Sequence, residues 1–240
     1  MTPVPSTLSA CEVLALGPHP DDIELALAGT LLLLHDRGHK IALVDCTRGE
    51  KGSRGTVADR DAEAAAAAVK LGATLRHNLG LPDTGVRADD HATKALVAVL
   101  RAVRPALFLV PHAHDVHPDH AGAAELASRA FFFAGLRNFE PSLGAPHRPR
   151  LLLRYPGNQP IEPSLVVDIT AVQGRKADVV RCYRSQLAPP DRSHLVLGLD
   201  VLERAEVRDR FFGSRIGVPA AEPFWHDGPL PVWDATALLG

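Results

Sequence analysis

Apolar residues in this chain fall into two kinds of run. Val13 to Leu16, Ile41 to Cys46 and Leu107 to Val110 are short and almost wholly apolar, interrupted only by Asp45. Such runs suit strands covered on both faces. Between them lie longer segments with helical spacing, about Asp22 to Asp36 (ended by Gly38), Ala58 to Leu71, Asp90 to Val103 and Asp119 to Phe133. The second opens with a Thr56-x-x-Asp59 capping pattern and closes at Gly72, while the third runs into Pro105. A further short strand is expected just before Leu79. Strand and helix in alternation predict βαβ units, and right-handed crossovers then give a Rossmann-like three-layer α/β sandwich with a mostly parallel sheet.

The second half is less regular. Proline-containing loops at 141–149 and 156–163 flank expected strands at Leu151 to Leu153 and Leu165 to Val167. Helices are expected at about Val172 to Tyr183 and His194 to Phe211. From Val218 onward the chain is proline-rich with little periodicity. The pattern predicts one domain over 1–240, with a core at about 11–217 and a tail at 218–240 that packs on the body or on a neighbouring subunit.

Composition narrows the function. The chain of 240 residues is 46% hydrophobic and 22% charged, which suits an ordinary globular core. A formal charge of -2 provides no basic field to recruit nucleic acid or an anionic membrane. The longest apolar segment, Leu25 to Leu34, is too short to cross a bilayer, and the N-terminus lacks the features of a signal peptide. Cys11, Cys46 and Cys182 are widely spaced, and the first two sit in apolar runs where a buried thiol is expected. A reducing, cytoplasmic setting is the expectation.

Twelve histidines are the compositional feature that bears on chemistry. His35, His39, His77 and His91 stand in polar contexts and are expected at the surface. Two other groups stand directly after expected strands. The first is Gly17-Pro-His19-Pro-Asp21-Asp22; the second is His112-Ala-His114-Asp115-Val116-His117-Pro-Asp119-His120. In a parallel sheet both loops emerge at the carboxyl edge, where ligands bind. His19 and Asp22 are three apart, as are His117 and His120, so four side chains compete for the three protein positions of a catalytic zinc site. An Asp pair opening a helix is also an ordinary cap, and a lone His-Pro is an ordinary turn. Capping does not require histidine at both places, so the pair of motifs favours a metal centre.

His19-Pro-Asp-Asp with Ala28-Gly29-Thr30, followed later by His117-Pro-Asp-His120, resembles the PIG-L/LmbE family of zinc-dependent N-deacetylases. Thr47-Arg-Gly-Glu50, Gly55-Thr56, Arg60, Glu63, Leu79-Gly-Leu-Pro-Asp83, Phe133 to Arg137 and Tyr183-Arg-Ser-Gln186 extend the likeness. They bring it nearest to the branch acting on N-acetylglucosaminyl-malate in bacillithiol synthesis. The resemblance implies that His19, Asp22 and His120 hold one Zn2+, with Asp21 as general base. It also implies that His117 stabilises the oxyanion or protonates the leaving amine, oriented through a hydrogen bond by Asp119, whose carboxylate would keep it protonated. Arg60 has two readings, a solvated arginine on a first helical turn and a guanidinium that grips a substrate carboxylate. Val116 stands where relatives often carry a basic residue, which weakens the malate assignment. Retention of both aspartates and both histidines argues against a non-catalytic sugar- or metal-binding module, and no second metal cluster supports a phosphoesterase. Another N-acetyl sugar, such as N-acetylglucosamine, a chitobiose or an antibiotic intermediate, is the alternative substrate. The 49–55 loop lacks phosphate-loop spacing, and Trp225 and Trp233 suit packing or interface roles. The resemblance and the tail together imply a homo-oligomer, with a hexamer among the candidate forms.

Overall fold

The computed structural model describes residues 9–187 and 200–232. Five strands, β1 (Val13–Gly17), β2 (Ile41–Asp45), β3 (Leu75–Asn78), β4 (Leu107–Pro111) and β5 (Leu151–Tyr155), form one sheet in the order β3-β2-β1-β4-β5. Every pairing within it is parallel. β1 alternates its side chains between two cores. Val13 and Ala15 join α1 (Asp22–Asp36), α2 (Val57–Leu71) and α5 (Gln173–Val180) on one face. Leu14 and Leu16 join α3 (Asp90–Val103) and α4 (Pro118–Ala134) on the other. This is the expected three-layer sandwich, and it explains why the strands carry no polar alternation.

The expected helices form nearly as read. Thr56 caps α2 through a reciprocal box with Asp59, and Gly72 closes it in the left-handed conformation (φ 76°). Helix α5 is shorter than expected because a 3-10 turn, Thr170–Val172, precedes it and Tyr183 falls beyond it. The last helix, α6 (Val201–Ser214), begins with an Asp200/Glu203 capping box. The part of the expectation at 194–199 lies outside the described residues, as does Trp233.

Two features differ from the sequence pattern. His77 is half-buried in the edge strand β3, and burial lowers its pKa. The proline-rich tail begins with a buried strand, β7 (Ala221–Phe224), antiparallel to β6 (Leu165–Asp168) and bridged to β5 through Arg154 and Trp225. Glu222 in that strand is fully buried. Its carboxylate accepts from the backbone N–H groups of Gly29 (2.9 Å) and Thr30 (2.7 Å) and from Lys176 Nζ (2.8 Å). Those N–H groups need an outside acceptor because α1 is broken at Leu27 (φ -147°, ψ 17°). A Cβ at Gly29 would stand 2.7 Å from Ile169 and 2.9 Å from Glu222, so only glycine admits this approach. Asp45, the polar residue of β2, is buried with Arg76 (Nε to Oδ2, 2.8 Å), which also bonds the buried Glu24.

Candidate metal centre

The strand order reverses direction at β1, which pairs β2 on one side and β4 on the other. Open α/β sheets place their ligand crevice at this switch point, beyond the carboxyl ends of the strands. Residues 18–21 follow β1 and residues 112–117 follow β4, so the two motifs face each other there.

His19, Asp22 and His120 offer ligand atoms within 4.8 Å of one another, and so do His19, His117 and Asp119. Chemistry separates the two sets. In the first, His19 Nδ1 lies 3.1 Å and His120 Nε2 lies 3.3 Å from Asp22 Oδ2. Donors of a tetrahedral zinc site, at about 2.0–2.1 Å from the ion, stand about 3.3–3.4 Å apart. The remaining ring nitrogens also have the partners that metal-bound imidazoles need. His19 Nε2 is 3.2 Å from both Asp83 and Asp119, and His120 Nδ1 is 3.1 Å from Asp115.

The second set fails this test. Asp119 N–H donates to His117 Nδ1 (3.2 Å), so that nitrogen is bare and the ring's proton sits on Nε2. A ring in that tautomer has no lone pair on Nε2 to give an ion. Asp119 is likewise engaged, accepting from Thr84 N–H (2.7 Å) on one oxygen and from Val86 N–H (3.1 Å) on the other.

The structure therefore alters two expectations. Asp119 orients His117 with its backbone N–H, while its carboxylate ties the 84–86 loop to His19. The His117 pKa moves down, not up. Burial is the main cause, His19 and His120 add repulsion, and Asp119 opposes only in part. This shift favours the neutral form of the His117 ring.

The other groups respond to the crowding of carboxylates. Burial opposes charge on His19 and His120, but Asp22, with Asp119 or Asp115, lifts them to about 9 and about 10. Asp22 is held well below the usual carboxylate range by those imidazoles, against its burial. Asp21 is raised to about 7 by burial, with Arg60 opposing and Asp22 reinforcing. It also sits at φ 117°, a conformation an L-residue adopts only under constraint. Arg60 is not the solvated arginine of the first reading, and it lines the cavity that opens on the centre. It is buried, donates from Nη2 to Pro20 O, and lies 3.5 Å from Asp21 Oδ2, so it braces the loop carrying Asp21.

Residues 83, 115, 157 and 158 were not singled out for roles by the sequence reading. Asp115 accepts from His117 N–H (2.8 Å) and Asn158 N–H (2.7 Å) while facing His120. A Cβ at Gly157 would collide with Asp115 Oδ2 and stand 2.5 Å from His120 Nδ1. The available signal was chemical: each ligand imidazole needs a partner for its outer nitrogen, and Asp115 stood unassigned inside the second motif. A cavity of ≈ 280 Å³ opens on the centre, lined by His19, Asp21, Asp22, His117 and His120 with Lys51, Thr84, Asn158 and Gln186 among its walls.

Fold and site together define an α/β protein with a His2Asp cluster, able to hold one metal ion, at its switch point. The chain belongs to the PIG-L family: the model described as GlcNAc-PI de-N-acetylase matches residues 14–131. It is similar to the diacetylchitobiose deacetylase of Thermococcus kodakarensis, at 33% identity over 73% of this chain and 70% of that one. It is also similar to the 1D-myo-inositol 2-acetamido-2-deoxy-alpha-D-glucopyranoside deacetylase of Streptomyces avermitilis. That match is 33% identical and spans 56% of this chain and 57% of the relative. Among solved structures, the conserved protein TT1542 from Thermus thermophilus superposes with a TM-score of 0.83 at 38% identity. The match covers 94% of this chain and 97% of that one.

Proposed function

We propose that this protein is a divalent-metal-dependent N-deacetylase acting on N-acetylglucosamine-containing substrates, with zinc as its ion. The observation that carries the reading is the donor set of His19, Asp22 and His120, with the half-buried carboxylate of Asp21 lining the same cavity. Family membership and the relatives named for deacetylation support it. A zinc ion held there would polarise the amide carbonyl and lower the pKa of a water. Asp21 accepts the proton of the attacking water and passes it to the amine nitrogen as the C–N bond breaks. Its pKa near 7 suits a group that must both take and give a proton. His117, neutral with Nε2–H as its donor, stabilises the oxyanion, while Asp119, Asp115 and Arg60 hold His117, His120 and Asp21 in place.

For the aglycone, the neutral sugars and polyols in the relatives' names fit this cavity better than malate. Arg60 is engaged by Asp21 and Pro20, and Val116 is 66% exposed where a second cation would serve a carboxylate. The malate conjugate of bacillithiol synthesis rests on motif likeness, with Lys51 and the already engaged Arg60 as the lysine and arginine lining the cavity.

The test is amine release from diacetylchitobiose, an N-acetylglucosaminyl inositol and N-acetylglucosaminyl-malate by zinc-loaded protein. A neutral aglycone should be turned over at least as well as malate. Asp21→Asn should lose at least about 100-fold in kcat while retaining zinc. An active Asp21→Asn, or no turnover of any N-acetyl sugar, would overturn the reading.

A further inference from the structure

We propose that the acyl group of the substrate enters a separate compartment beside the metal ligands, where Arg204 and Arg208 receive the carboxylate it becomes. This rests on the N-deacetylase reading and adds its acyl specificity.

A second cavity of ≈ 80 Å³ shares the walls Asp22, Leu25, His120, Asn158 and Val201 with the larger one. Its own walls are Ala26, Pro156, Gly157 and Ala205, together with the two arginines. Hydrolysis at the centre divides a substrate into two parts of unequal size. The sugar needs the wide cavity, and a chain of a few carbons suits the small one. The walls also match the change in chemistry. Alanine, leucine and proline surfaces suit an alkyl group, whereas guanidinium groups suit the carboxylate formed when the water oxygen joins the acyl carbon and the amine departs.

The arginines have donors to give. Arg208 bonds Leu25 O through Nη2, which also lies 3.5 Å from Asp209 Oδ1, yet its buried Nε has no partner among the described residues, an arrangement that costs free energy until an acceptor arrives. Arg204 makes one long contact, 3.4 Å to Asn158 Oδ1, among the described residues. Both project from α6, which lies outside the span of the family match. Acyl selection is thus assigned to an element that the metal motifs do not include.

The experiment compares N-acetyl-, N-propionyl- and N-butyrylglucosamine with zinc-loaded wild type, Ala205→Leu and Arg204→Met. Filling the compartment with Ala205→Leu should reduce turnover of the propionyl and butyryl substrates at least roughly tenfold more than that of the acetyl substrate. Arg204→Met should raise the inhibition constant of acetate roughly tenfold. Equal slowing at every chain length, or unchanged acetate inhibition, would overturn the proposal. If wild type hydrolyses none of the three, the deacetylase reading fails only if diacetylchitobiose and the inositol and malate conjugates are left intact as well, and direct titration of acetate and butyrate by NMR decides the compartment. Binding by wild type that weakens in both variants sustains it, and no binding by wild type overturns it.

Discussion

At the scale of single residues, this site depends on what stands behind the ligands. Asp115 fixes His120 through its outer nitrogen, and the absence of a side chain at Gly157 lets that pair form. Removing such a partner from a metal-bound histidine lowers metal affinity about 10–100-fold. Asp115→Ala should therefore weaken zinc binding by that factor, as measured by competition with a chromophoric chelator. Gly157→Ala should do the same without altering any polar group. Wild-type affinity in Gly157→Ala would show that the ring's outer contact is dispensable. The spacing of histidines and aspartates made the clustered donors legible in the chain, because (i, i+3) pairs beside strand ends require little tertiary knowledge. Asp115 and Asp83 were hidden because their work is done across loops.

Elements were read well where one physical cause governed them. The helix caps at Thr56 and Gly72 and the apolar strands are local or depend on burial alone. The tail strand β7 was not, since its proline and alternating small residues carry no helical or strand period. What places it is Glu222, whose carboxylate closes the break in α1 and neutralises Lys176, itself 2.6 Å from Asp209. Deleting one partner of such a buried ionic group costs about 3–5 kcal/mol. Glu222→Ala should lower stability in urea by that amount, with the metal ligands untouched. A loss below about 1 kcal/mol would mean that water replaces the carboxylate and that β7 is not a structural part of the core.

For the molecule as a whole, the metal centre gathers more negative charge than its imidazoles balance. Asp21, Asp22, Asp83, Asp115 and Asp119 converge on the switch point with His19, His117 and His120. A divalent ion held there would relieve that repulsion, and it would bind the folded chain alone. At a hundredfold excess over its dissociation constant it should stabilise the fold by about 2.7 kcal/mol. Chelation should therefore lower the melting temperature, and zinc should restore it, in wild type but not in an Asp22→Ala, His120→Ala double variant. Equal chelator sensitivity in the two proteins would place the stabilising ion elsewhere.

The sequence determined the layer order, since fully apolar strands can exist only between two covering layers, and it determined which donor types gather at the switch point, since residue type and spacing are written in the chain. Which donors stand around one point, which nitrogen of His117 meets Asp119 N–H and where the Arg60 guanidinium lies were decided only by the tertiary structure. Those properties turn on which donor meets which acceptor across loops distant in sequence: Asp119 N–H on His117, Asp115 on His120, and Asp21 on Arg60.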